Sequence, residues 1–232
     1  MPGILRLLSR VPRRNTLGTT LCGGAALIAA TQVSPASNLS AADDALSSMW
    51  AAAIDGMKDV PGCEEISSAD GVLYMAPNPE APMRTWPRIF AKSTVFSLTA
   101  SNPMGKEAPA AANERMNALL EEDIKNLRVV TPRAWWHSFG FNANEGWRED
   151  GFSVAFGHEE RVYARMAILK LARKYRQKAV YAYSMQDGHL VRDVVFVGEK
   201  FGRVDETARE RMAVLPAPPR TPLAAKEWQQ SD

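Results

Sequence analysis

Apolar residues recur along the chain with two periods, one helical and one of two, and turn residues separate the blocks. Leu46, Met49, Trp50, Ala53 and Met57 recur at three-and-four spacing, and Ser40 with Asp43 has the spacing of a capping box. This stretch predicts an amphipathic helix of about four turns that stops before Pro61-Gly62. Pro77, Pro79, Pro82 and Pro87 then interrupt regular pairing, so the segment from Pro61 to Pro87 predicts a wrapping loop with one short edge strand over Val72 to Ala76. Thr94 to Ala100 alternates like a strand and ends in the turn Ser101-Asn102-Pro103-Met104-Gly105. A helix opens near Pro109, with Met116, Leu120, Ile124 and Leu127 on one face and Glu114, Glu121, Glu122 and Lys125 turned to water.

Ala134 to Phe141 and Gly151 to Phe156 predict two strands joined by a hairpin loop over Asn142 to Asp150. A second helix follows over Glu159 to Tyr175, its main arc formed by Ala164, Ala167, Ile168, Leu171 and Tyr175. A narrower stripe of Val162, Met166 and Leu169 emerges among arginines on another side. Lys178 to Ser184 and Leu190 to Val197 predict two more strands, joined at Gln186-Asp187-Gly188-His189, where Asp-Gly suits a tight hairpin turn. The order β-α-β-β-α-β plus one strand predicts an α+β fold, a two-layer α/β sandwich. Its plan is ferredoxin-like, with an added C-terminal strand and an N-terminal amphipathic helix. Beyond Val197 the chain is charged and then proline-rich, which predicts a flexible tail with a helix around Glu206 to Ala213. The chain therefore divides into a leader (1–42), a helix and wrapping segment (43–93), an α/β domain (94–197) and a tail (198–232).

Of the 232 residues, 46% are hydrophobic and 23% charged, which excludes wholesale disorder and suits one domain with extensions. Four of the 28 basic residues, Arg6, Arg10, Arg13 and Arg14, lie in the first 42 positions, which contain no acid. The remainder holds 24 basic against 26 acidic residues, a net charge of −2, and lacks the broad positive field of a nucleic-acid binder. Arginines among Leu and Ser without acids resemble an import peptide, so the chain is expected in a mitochondrion or a chloroplast. Arg13-Arg14 before the mildly apolar run Leu17 to Ala30 and Ser34-Pro35-Ala36 also resembles a twin-arginine signal, which points to a thylakoid lumen or a bacterial periplasm. No apolar run reaches the length of a membrane-spanning helix.

Of two cysteines, Cys22 falls in the leader, so a processed chain keeps Cys63 alone and forms no internal disulfide. Glu64-Glu65 beside Cys63 would raise its thiol pKa, which argues against a nucleophile. His137, His158 and His189 have no metal-binding spacing, and the phosphate-loop, dinucleotide and hydrolase motifs are missing, so no metal, cofactor or catalytic residue is assigned. Trp135, His137, Phe139 and Phe141 share one strand face, which is either core or, in an RNA-binding sheet, a stacking platform. Arg161, Arg165, Lys170, Arg173, Lys174, Arg176 and Lys178 make the second helix basic, a pattern that a solvated face also explains.

The stretches Thr99-Ala100-Ser101-Asn102-Pro103-Met104-Gly105, Asn113, Trp147-Arg148-Glu149-Asp150-Gly151-Phe152 and Tyr175-Arg176-Gln177-Lys178-Ala179-Val180 resemble the domain-of-unknown-function family 3293 over about residues 94–197. The resemblance implies a small α/β domain and brings no established activity or cofactor. It suggests a cluster of Asn102, Asn113, Trp147, Glu149 and Gln177 at one sheet end, able to cradle a small polar ligand or to satisfy loop backbone groups. The expected function is thus a non-catalytic module that binds a small polar ligand at this cluster, or a protein partner at Val162, Met166 and Leu169. One alternative is a small enzyme using Glu149, with His137, as general acid and base on a polar metabolite. The other is RNA binding through the basic helix or an open sheet.

Overall fold

A computed structural model describes residues 47–142, 146–198 and 202–219 of the chain. The leader, the Ser40–Asp43 capping box, the middle of the Asn142–Asp150 loop and the end of the tail lie outside the described residues. Eight antiparallel strands form a closed barrel: β1 (Ile54–Lys58), β2 (Val72–Pro77), β3 (Ser93–Leu98), β4 (Ala134–Asn142), β5 (Trp147–Gly157), β6 (Ala179–Gln186), β7 (His189–Phe196) and β8 (Arg203–Val214). Around the ring the order is β1-β2-β8-β7-β6-β3-β5-β4, and β4 pairs back to β1 through Ile54 with Phe141 and Met57 with Ser138. Among the described residues it is accompanied by the α-helices α1 (Arg88–Ala91), α2 (Ala110–Lys125) and α3 (Arg161–Lys174). Residues 47–51 are also helical.

Strand alternation decides which side chains enter the barrel. On β3 and β5, Phe96, Leu98, Phe152, Val154 and Phe156 face outward and pack with Leu120 and Ile124 of α2 and Ala164, Ile168 and Leu171 of α3. The opposite parity, Val95 and Ala155, turns inward with Met57, Leu73, Met75, Tyr183, Leu190 and Met212. One end of the interior is sealed by aromatic rings: Phe90 of α1 stacks edge-on between Trp86 and the β4 residue Trp136, with centroid separations of 5.6 and 6.4 Å. The proline-rich segment, expected as a loose wrap, delivers Trp86 and Phe90 to this plug.

The ferredoxin-like two-layer sandwich is overturned by this closed barrel. Three elements account for the difference. Ile54–Lys58 is a strand, not the end of a four-turn helix, because Asp55 and Met57 alternate into the interior and Gly56 gives up its side chain to the ring of Phe139. Val72–Pro77 is an internal strand between β1 and β8, with its proline at the very end, paired to Met212. Arg203–Val214 is a strand where a flexible tail and a helix were expected. Its buried positions Asp205, Ala208 and Met212 imitate helical spacing because the strand bulges: Arg192 pairs with Glu210 while Val194 pairs with Asp205. The β6–β7 hairpin has the expected turn, with Asp187 and Gly188 both at positive φ, 47° and 77°.

Candidate functional site

Opposite the aromatic plug the interior opens into a cavity of about 470 Å³. The taper of β4 makes room for it: its inward positions run Trp136, Ser138, Gly140, from the plug toward the opening. Gly140 pairs with Glu149 on one side and Asp55 on the other. A Cβ on it would lie 3.8 Å from the Trp147 ring and 3.9 Å from the Tyr181 ring, so the space beside those rings is the space its missing side chain leaves. Ser97 and Ala179 are similarly small inward residues in the lining, while Gly151 lets the β3 backbone at Leu98 approach closely.

The loop after β3 is held to α2 by amides. Asn102, in the left-handed region at φ 46°, accepts from Ala108 N at 3.1 Å and from Asn113 Nδ2 at 3.0 Å, and its backbone N–H donates to Asn113 Oδ1 at 3.0 Å. Asn117 receives Ala100 N at 2.8 Å and donates to Asp150 O at 2.9 Å. Gln177 leaves α3 and donates to Ser101 O at 2.9 Å. With its oxygen committed to the loop, Asn102 turns its Nδ2 to the Oε1 of Glu149 at 3.0 Å. Burial pushes the Glu149 carboxyl above its ordinary range; the Asn102 bond opposes this and the charge of Asp150 reinforces it.

A buried ion pair with Asp55 in the cavity wall lies at the open end. Arg192 Nη1 donates to Asp55 Oδ2 at 2.7 Å and to Ala53 O at 2.9 Å. Its Nη2 donates to Trp50 O at 3.2 Å and Ala51 O at 2.6 Å, while the guanidinium carbon sits 4.6 Å above the Tyr181 ring. Tyr181 Oη also donates to Trp50 O, at 2.9 Å. The segment 49–53 is thereby tied across this end of the barrel, with Met49 and Trp50 in the cavity wall.

The segment that carries the loop, Glu149 and Gln177 also has a family signature. Residues 98–180 match the family model "Protein of unknown function (DUF3293)". Comparison with curated proteins and with solved structures finds no match. All five residues of the expected cluster fall inside the DUF3293 segment, whereas Trp50, Asp55, Tyr181, Tyr183 and Arg192 fall outside it. The cavity is thus walled jointly by the DUF3293 segment and by strands on either side of it.

The structure brings the expected cluster together. Asn102, Trp147, Glu149 and Gln177 line the cavity, and Asn113 stands behind Asn102 as its hydrogen-bond partner. The expected partner stripe is not a surface: Val162 is 54% exposed, Met166 is half-buried, and Leu169 is 0% exposed within the core under α3. α3 packs its Leu169 side inward as well, because the barrel continues to β7 and β8 beyond the sheet edge a sandwich would have. His137 and Glu149 are on opposite faces of the sheet, with His137 outside against Trp135 and Phe152, so they form no acid–base pair. The aromatic face of β4 is no open platform either, since Phe139 and Phe141 are buried and Lys125 lies 5.1 Å over Trp135. Cys63 is buried, and burial with the nearby Glu64 charge pushes its thiol up to about 12. Among the described residues no group of three or more His, Cys, Asp or Glu could hold a metal, and no helix is long and apolar enough to cross a membrane.

Sequence reasoning passed over Gly140, Tyr181, Tyr183 and Arg192. Their signals were a glycine within an aromatic strand, tyrosines at i and i+2, and one cation of inward parity among valines.

Glu149→Gln is expected to melt higher than the wild type at pH 8 and to lose part of the wild-type pH dependence. Below the ordinary glutamate range folded and unfolded chains both hold the proton. As pH rises through that range the unfolded chain releases it first, so stability declines until the folded carboxyl has ionised too. Each kcal/mol regained by the amide raises Tm by about 2–4 °C in a domain of this size. Thermal unfolding of both proteins from pH 4 to 9 checks this; a variant that melts lower throughout would mean that contacts to the charged form dominate.

Proposed function

We propose that this protein is a small-ligand-binding barrel whose ligand enters at the Glu149 end. The observation that carries the reading is the cavity itself, about 470 Å³, within the roughly 300–1,000 Å³ typical of small-molecule sites. Its lining supports the same reading: aromatic and apolar walls from Trp50, Met57, Trp147 and Tyr181 surround a few convergent polar groups. Eight-stranded barrels are just wide enough inside to hold one small molecule when their inward residues are small.

The test uses Gly140→Ile. A β-branched residue suits the strand and would project between the Trp147 and Tyr181 rings into the empty space. Thermal-shift screening of metabolites is expected to find compounds that stabilise the wild type and leave the folded variant unmoved. Compounds that stabilise both equally would place binding elsewhere and overturn the reading. The acid-free, arginine-bearing residues 1–42 support delivery to a chloroplast or mitochondrion, which imaging of the full chain as a fluorescent fusion would check.

A further inference from the structure

We infer that the cavity selects a small organic cation, whose charged head meets the Glu149 carboxylate while its apolar body lies against Trp147 and Tyr181. This rests on the small-ligand reading and adds the ligand's chemistry. Glu149 places a carboxyl in the interior whose ionised form a bound cation would favour, and the hydrogen bond from Asn102 engages one of its oxygens. That donor is a neutral amide. The charged neighbour acting on the carboxyl is Asp150, another acid.

The nearby guanidinium groups are committed elsewhere. Arg148 borders the cavity but follows Trp147 on the outward parity of β5, its guanidinium 3.9 Å over the Phe139 ring and donating to Asp150 at 2.7 Å. Arg192 divides its terminal nitrogens between Asp55 and three carbonyls. Lys178 at the cavity wall has a partner of its own. Glu107 adds a further acid to the lining, in addition to Glu149 and the Arg192-paired Asp55.

Room for a cation exists where the charge is. Gly140 stands directly across from Glu149, and the space its side chain would fill is bordered by Trp147 and Tyr181 ring atoms. A cation beside the Trp147 indole in a desolvated site is held by the ring's quadrupole, Tyr181 already carrying Arg192 on one face, and a charge-assisted bond to a carboxylate is roughly twice as strong as a neutral one. An anion would meet uncompensated repulsion from the same carboxylate, and a neutral alcohol would lose the ionic part of the contact.

The probes are phenethylamine, its neutral isostere 2-phenylethanol, and the anion 3-phenylpropanoate, titrated calorimetrically into the full chain and into Glu149→Gln. Circular dichroism verifies that the variant is folded. Phenethylamine is expected to bind more tightly than the other two, and Glu149→Gln to weaken it about tenfold or more while leaving the alcohol unchanged. Equal binding of the alcohol or the anion, or an unchanged phenethylamine affinity in the variant, overturns the cation assignment and leaves the cavity reading standing. If no probe binds, the cation assignment falls. The cavity reading is judged separately, by compounds that distinguish wild type from Gly140→Ile.

Discussion

Arg192→Met is expected to destabilise the barrel by about 3–5 kcal/mol, the usual consequence of removing one member of a buried ion pair. Arg192 is fully buried and Asp55 nearly so, and without the guanidinium the aspartate keeps burial, which drives its carboxyl upward, against the smaller opposing effect of the Tyr183 hydrogen bond. The Ala51 and Ala53 carbonyls lose the Arg192 donor at the same time, while Trp50 O keeps Tyr181 Oη and the Ala53 N–H. Denaturant titration should show the midpoint falling accordingly. The deficit should be smaller at pH 5 than at pH 8, because a folded carboxyl with a raised pKa favours the native state as protons become available. The double variant Asp55→Leu/Arg192→Met should recover part of the loss, since it removes the stranded charge but not the unpaired carbonyls. A single variant as stable as the wild type would show that the pair is not the tie between strand β7 and the 50–53 segment.

Phe90→Ala should have an effect of similar size at the other end. The ring is 1% exposed and edge-stacked on both Trp86 and Trp136, so its removal loses burial and two aromatic contacts and leaves a void between indoles. About 3–5 kcal/mol is expected, a fall in Tm on the order of 10 °C. Because the plug lies at the opposite end from the cavity, binding at Glu149 should survive in whatever fraction remains folded. Calorimetric unfolding with and without a bound ligand separates the two effects; a loss of affinity larger than the loss of folded protein would show that the ends are coupled.

The local elements from Thr94 to Val197 were legible because apolar spacing and turn residues between them marked each one. Met116, Leu120 and Ile124 predicted the helix that became α2, and Asp187-Gly188 predicted the β6–β7 turn. The topology was not legible, because the closing strands carry contradictory signals. β1 holds Asp55, whose burial depends on a partner far along the chain, and β2 precedes a proline cluster. β8 is charged, with its alternation broken by a bulge. For the site, turn chemistry and the family resemblance sufficed to gather Asn102, Asn113, Trp147, Glu149 and Gln177, since all attach to loops at one strand end. The tyrosines and Arg192 escaped notice because their meaning comes only from closure: on an open sheet their inward face would have been an outer surface.

The pairing of β2 with β8, Met75 opposite Val214, joins early and late parts of the chain. During synthesis β2 can find β1, but its second edge stays bare until residues 203–214 have emerged from the ribosome. A nascent chain in that state offers a ready template for pairing with another copy. Ring completion therefore waits on a contact of long sequence separation, the kind that forms slowly because its loop-closure cost comes first.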